Sequence, residues 1–141
     1  MKLTPTTKRK AGMTLLELTV VILVLLSLIS ILFIGARAWK KGSDRAASIL
    51  QIRNVQQAVR SYANMNGKNP GDTGAIALSD IFGDDKFIKN NPAADGAKHP
   101  GGGDLKYSIG APTTIPNIGS LYMTVTGTGH ADYIPTETGD W

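Results

Sequence analysis

The sequence predicts an α+β protein in which one long N-terminal helix, with a membrane half and an amphipathic half, packs on a small antiparallel sheet with long loops. Three observations carry this expectation. An apolar run from Leu18 to Ile34 is broken only by Thr19, Ser27 and Ser30. No proline appears between Pro5 and Pro70. Beyond Pro70, glycine and proline recur around two short alternating segments, which is the pattern of strands joined by turns.

The apolar run is long enough to cross a bilayer at about 1.5 Å per residue. From Val20 to Ile34 leucine, isoleucine and valine occupy every side of the helical wheel, and a helix apolar all round needs lipid or other helices around it. Glu17 stands at the mouth of this run. A carboxylate near the bilayer centre costs roughly 2.5–3.5 kcal/mol or more, which makes an intramembrane acid a functional residue by default. The alternative is that Glu17 lies near the headgroups and snorkels to water.

Beyond Gly35 the helix is expected to continue, because Ile49, Ile52, Val55, Val59 and Tyr62 recur at spacings of three and four. Tyr62 and Met65 are read as packing residues of this stripe. Asn66-Gly67 and Asn69-Pro70 form a stop signal. Leu78, Ile81 and Phe82 fit a short helix within 73–82, ended by Gly83-Asp84-Asp85, and Phe87-Ile88 is a second anchor. The segment 90–104 reads as a loop. Leu105–Ile109 and Leu121–Thr126 are the two strand candidates, the second with Leu121, Met123 and Val125 on one face. A short edge strand is expected near Tyr133-Ile134, and Trp141 is expected to pack back onto the domain. With about 75 residues beyond the stem, this region can bury only a modest core.

The residues Lys8-Arg9-Lys10, then Gly12, Met13, Thr14, Leu15, Leu16 and Glu17, resemble the class III signal of the type IV pilin and type II secretion pseudopilin superfamily. The resemblance covers Lys8 to about Gly67. It implies a pilin-like architecture with a leader at 1–12, a transmembrane and filament-core helix at 13–36, an amphipathic stem at 37–67 and a small globular region at 68–141. It implies cleavage by a prepilin peptidase between Gly12 and Met13 and methylation of the new amino group on Met13. Glycine at the cut lets an extended backbone enter a protease cleft with no side chain in the way. Glu17 would neutralise the new terminus of a neighbouring subunit as helices bundle. In a medium of low dielectric those charges attract strongly, and either one alone is costly.

The function implied is a non-enzymatic structural subunit of a pilus-like filament or a secretion pseudopilus. Its partners would be copies of itself, the peptidase, membrane lipid and the inner-membrane assembly machinery. It would be a single-pass inner-membrane protein before assembly and a periplasmic or extracellular filament afterwards. The sequence departs from the commonest family pattern in three ways. Met13 replaces phenylalanine, no proline lies in the second half of the apolar run, and there is no cysteine to close a C-terminal disulfide loop. Gly35 is the nearest helix-weakening residue.

The formal charge of +4 invites a nucleic-acid reading, and counting by position removes it. Lys2, Lys8, Arg9 and Lys10 lie in the leader, whereas all 11 acidic residues follow Gly12. The processed chain would carry 11 of the 15 basic side chains and a net side-chain charge of zero, so no basic nucleic-acid face is expected. The positive-inside count is a tie, because Arg37, Lys40, Lys41 and Arg45 follow the run; the resemblance places the leader in the cytoplasm. A secretory signal cut near Ala36-Arg37-Ala38 would need an apolar core of about 7–15 residues, shorter than this one. The rival class is a single-pass anchored or secreted binding domain whose ligand surface would be the loops 90–104 and 127–140.

No arrangement of residue types makes an active site. His99 and His130 are the only histidines, neither has metal-ligand spacing to a partner, and both are expected to be exposed or locally bonded. The run His99 to Asp104, HPGGGD, lacks the lysine and the following helix of a phosphate loop. No cofactor is expected, with calcium as the one candidate. Some pseudopilins without a disulfide hold calcium in their C-terminal loops, and oxygen ligands here would come from Asp95, Asp104, Asp132, Glu137 or Asp140. Their spacing matches no loop motif.

Overall fold

The computed structural model describes Gly12 and residues 14–141. The element order is helix α1 (Leu15–Met65), helix α2 (Leu78–Ile81), strand β1 (Lys106–Ser108), strand β2 (Thr124–Thr126) and a 3-10 turn (His130–Tyr133). The molecule is α+β, with a long apolar N-terminal helix and a two-stranded antiparallel sheet. Two compact units meet in sequence between Trp39 and Lys40.

The first unit contains the apolar part of α1, whose large side chains from Leu15 to Ile34 are exposed. Its three hydroxyls turn back onto the helix. Thr19 Oγ1 donates to the Leu16 carbonyl, Ser27 Oγ to that of Val24 and Ser30 Oγ to that of Leu26, each at 2.8 Å. Side-chain donors are thereby satisfied within the helix, as a hydrocarbon environment requires. Gly35 and Gly42 lie inside α1 without interrupting it.

In the second unit, Lys40–Trp141, the stem part of α1 supplies one wall of the core. Ser48, Ile52, Val55, Gln56, Val59 and Ala63 point inward at helical spacing, and Ile76, Ile81, Ile115, Met123 and Val125 meet that face. The stem stops where the sequence says it should: α1 ends at Met65, Gly67 takes φ 62°, and the Lys68 amide donates back to the Ala63 carbonyl. Met65 is not a packing residue. It is 77% exposed because Ala63 and Val59 hold the inward positions of the last turns, whereas Tyr62 is half-buried.

α2 has Ile81 as its buried residue, and the Ala77 amide donates to the Asp80 carboxylate at 2.8 Å. Phe82 and Ile88 then pair in a bridge, so the Phe87-Ile88 anchor works through Ile88 while Phe87 stays exposed. In the sheet Lys106 faces Thr126, Tyr107 faces Val125 and Ser108 faces Thr124; Tyr107 and Val125 point into the core.

Both strands are shorter than their alternating patterns suggest. The Leu105 amide is used in a turn with the Gly102 carbonyl. The Tyr122 amide donates to Gln56 Oε1 on the stem at 2.9 Å rather than to a strand, so β2 begins only at Thr124. The expected edge strand at Tyr133-Ile134 is replaced by the 3-10 turn. Gly129, at φ 74°, starts this turn, and the Asp132 amide donates to the Gly129 carbonyl.

Stem side chains hold both the segment between β1 and β2 and the C-terminal residue. Gln56 Nε2 donates to the Ser120 carbonyl at 2.9 Å, and the Arg60 guanidinium donates to the carbonyls of Asn117 and Trp141 at 3.1 and 2.9 Å. Trp141 does pack back. Its ring touches the core and lies under the Arg53 guanidinium, 4.7 Å from the ring centroid, which is cation–π distance.

Candidate functional site

The residues singled out at the N-terminus divide between described and undescribed positions. Gly12 is exposed, and Met13 lies outside the described residues, as does the rest of the leader. Glu17 has a structural partner that its charge alone does not suggest. Its Oε2 accepts the Thr14 amide at 2.9 Å, while the Thr14 hydroxyl accepts the Glu17 amide at 3.2 Å. Thr14 is therefore the N-cap and Glu17 the third helical residue of a reciprocal capping box, two otherwise unpaired backbone donors being satisfied at the start of α1. The carboxylate also sits in the first turn, where the helix dipole favours negative charge.

Thr14 enters the sequence analysis only as part of the signal pattern, without its capping role. The signal was present, because T-L-L-E directly before an apolar run is a capping-box pattern. It was eclipsed by the carboxylate's own cost in lipid.

The five acidic residues named for calcium do not come together. Among the described residues no group of three or more histidine, aspartate or glutamate side chains is placed to hold a metal. Asp104 and Asp132 line one shallow surface pocket with the Gly101–Gly103 turn, but each already has a partner. Asp104 Oδ2 accepts both the amide and the hydroxyl of Thr128 at 2.9 Å, which holds its carboxyl below the usual carboxylate range. Asp132 pairs with Lys41 at 2.7 Å, and that hydrogen bond lowers its pKa. Asp140 borders a different groove, with Arg53, Arg60 and Trp141. Asp95 and Glu137 are exposed.

The two histidines separate. His130 is exposed and locally bonded, its Nδ1 lying 2.9 Å from the Gly127 carbonyl. His99 departs from the expectation of an exposed side chain: it is 5% exposed and bonded across 51 residues of sequence to Ser48. Its Nε2 is 3.0 Å from Ser48 Oγ, and its Nδ1 accepts the Gly101 amide at 3.0 Å. Ser48 is fully buried, and its hydroxyl donates to the Tyr133 carbonyl at 3.0 Å. The His99 ring packs on Tyr107 at 4.6 Å and edge-on to Tyr133 at 5.1 Å between centroids.

Burial pushes the His99 imidazole below its ordinary pKa, against an opposing attraction from Asp44. Glycine and proline around His99 suggested a solvated loop. The only sequence sign to the contrary was a serine on the buried side of the stem, one turn before Ile52.

Among the described residues α1 is the one helix long and apolar enough to cross a membrane, and it lies near the N-terminus. Comparison with family models, with curated proteins and with solved structures finds no match for this chain.

Proposed function

We propose that this chain is a structural, non-enzymatic filament subunit of the type IV pilin or secretion pseudopilin kind, cut after Gly12, held by α1 in the inner membrane and then assembled by helix packing. The observation that carries the reading is the start of α1. An acid in a capping box opens a helix whose large apolar side chains are exposed from Leu15 to Ile34. Covering one such side chain is worth roughly 1.5–3 kcal/mol relative to water, so lipid or other helices must surround it. Hydrophobicity does not choose between those two, because lipid tails are as apolar as leucine. Glu17 supplies the choice: a neighbouring subunit's new amino terminus offers a counter-charge that lipid tails do not.

The same side chain then has two tasks, one in its own helix and one toward a neighbour, and they are separable. Glu17→Gln keeps a carbonyl oxygen to accept the Thr14 amide and removes the charge. Co-expressed with a prepilin peptidase and assembly machinery, E17Q should be cut to a chain beginning at Met13, by intact mass, and recovered in the membrane. It should be missing from the sheared filament fraction. Wild-type filament yield from E17Q would refute the charge role, and an uncut wild-type chain would instead favour an anchored binding domain.

A further inference from the structure

The buried His99 cluster is used by nothing in the filament reading and does not depend on it. Its hydrogen bonds fix the proton positions. The Gly101 amide can only donate, so Nδ1 of His99 must present a lone pair and the ring proton must be on Nε2. Nε2–H then donates to Ser48 Oγ, and the serine hydroxyl is left to donate to the Tyr133 carbonyl. The chain of donors runs from loop to stem to 3-10 turn with no free lone pair on the imidazole. His99 is therefore not placed to deprotonate Ser48 as a base would.

A second proton has one place to go, Nδ1, where it would meet the Gly101 N–H head to head at 3.0 Å. Gly101 cannot move aside quietly. A Cβ on it would lie 2.7 Å from Tyr133 Cζ and 2.8 Å from Leu105 Cδ1, so its backbone is pressed against both side chains. Displacing it disturbs the contacts of Tyr133 and Leu105 with the core. Gly102 and Gly103, at φ 67° and 66° with no atoms near their Cβ positions, give the turn room to swing.

We propose that His99 is a proton-operated latch: the neutral imidazole fastens the 99–105 turn to the stem and to the 3-10 turn, and protonation releases it. The groups facing the ring are Ser48 and Asp44 from α1, Tyr107 from β1 and Tyr133 from the 3-10 turn. Asp44 is itself paired with Lys40 at 2.7 Å, and Asp132, beside Tyr133, is turned to Lys41. Asp44 is thus the acid that attracts the imidazolium, and burial outweighs it. The native-state pKa lies below the ordinary value of about 6.5. The latch is therefore fully closed above that pH and opens as pH falls through the lowered pKa.

The test uses the full chain in detergent micelles. Nitrogen-15 spectra of the His99 ring at pH 7.5 should show the Nε2–H tautomer. Hydrogen exchange of the amides in 99–105 and 130–134, corrected for the intrinsic pH dependence of exchange, should rise several-fold between pH 7.5 and pH 5. His99→Gln, which does not titrate, should abolish that rise, and His130→Gln should leave it unchanged. Asp44→Asn should enlarge the rise at pH 5, because the closed imidazolium loses the one acid that attracts it and the gap between closed-state and open-state pKa widens. An Nδ1–H tautomer, equal corrected exchange at the two pH values, or a rise that persists in H99Q would each overturn the latch.

Discussion

Replacing Gln56 tests how the C-terminal region is held. Gln56 is 3% exposed, its Nε2 donates to the Ser120 carbonyl and its Oε1 accepts the Tyr122 amide, both at 2.9 Å. Gln56→Ala removes both bonds with unequal consequences. Tyr122 is buried, so its amide loses its partner without access to water, at about 1–3 kcal/mol. Ser120 is exposed, so water can take over at its carbonyl and the loss there is about 0.5–1.5 kcal/mol. Together the variant should lose about 1.5–4.5 kcal/mol, and at a mid-range urea slope of about 2 kcal/mol/M the midpoint should fall by roughly 0.8–2.2 M. The assay is urea unfolding of the full chain in micelles, followed by Trp141 fluorescence in a Trp39→Phe background, since Trp39 is 79% exposed. Gln56→Glu sharpens the test. At neutral pH it still accepts from Tyr122 but sets a carboxylate oxygen against the Ser120 carbonyl, and it should recover part of the loss once protonated and able to donate. A loss under about 1 kcal/mol in Q56A, or a Q56E chain as stable as the parent at neutral pH, would refute the reasoning.

Three further variants probe the C-terminal region. Gly127 has φ 114°, and a Cβ there would lie 2.6 Å from the Asp104 carbonyl oxygen; Gly127→Ala should cost about 3 kcal/mol or more from strain and overlap. Gly129→Ala, at φ 74° with open space, should cost only about 1–2 kcal/mol by the same urea assay. Asp104 has a carboxyl held below its usual range by Thr128. Its contribution is present above the ordinary carboxylate pKa of about 3.9 and lost as pH falls through the lowered native value. Thermal melts of Asp104→Asn between about pH 5 and 2 should therefore show a shallower acid decline than the parent; an identical decline would contradict the assignment.

What was legible in the sequence was whatever depended on periodicity or on local backbone chemistry. The unbroken helix, its end before Gly67, the inward row from Ile52 to Val59 and the existence of strands around Tyr107 and Val125 all follow from spacing and from the placement of glycine and proline. Most of what failed depended on a distant partner. Tyr122 is alternation-compatible strand, yet its amide is taken by a glutamine 66 residues earlier. Tyr133 has good strand propensity, but its carbonyl is claimed by Ser48 and Gly129 favours a tight turn before it. His99 looked solvated because its neighbours are turn residues, and a stem serine with a buried face decides otherwise. Met65 continued the apolar stripe by residue type but falls on the outer side of the last turn. At the helix start, the Thr14–Glu17 pair was readable from a four-residue pattern and needed no tertiary knowledge.

Three polar side chains of the stem grip main chain. Ser48 takes the Tyr133 carbonyl, Gln56 the Ser120 carbonyl and the Tyr122 amide, and Arg60 the carbonyls of Asn117 and Trp141. Every residue type except proline offers the same amide, and all offer the same carbonyl. Three residues on the helix thus fasten this segment through groups that nearly every residue type carries, beside the core contacts made by Ile115, Met123 and Val125. The exposed Asn117, Ile118 and Ser120 are free to be exchanged without unfastening the chain. Substitutions on that outer surface should therefore leave these fastenings in place.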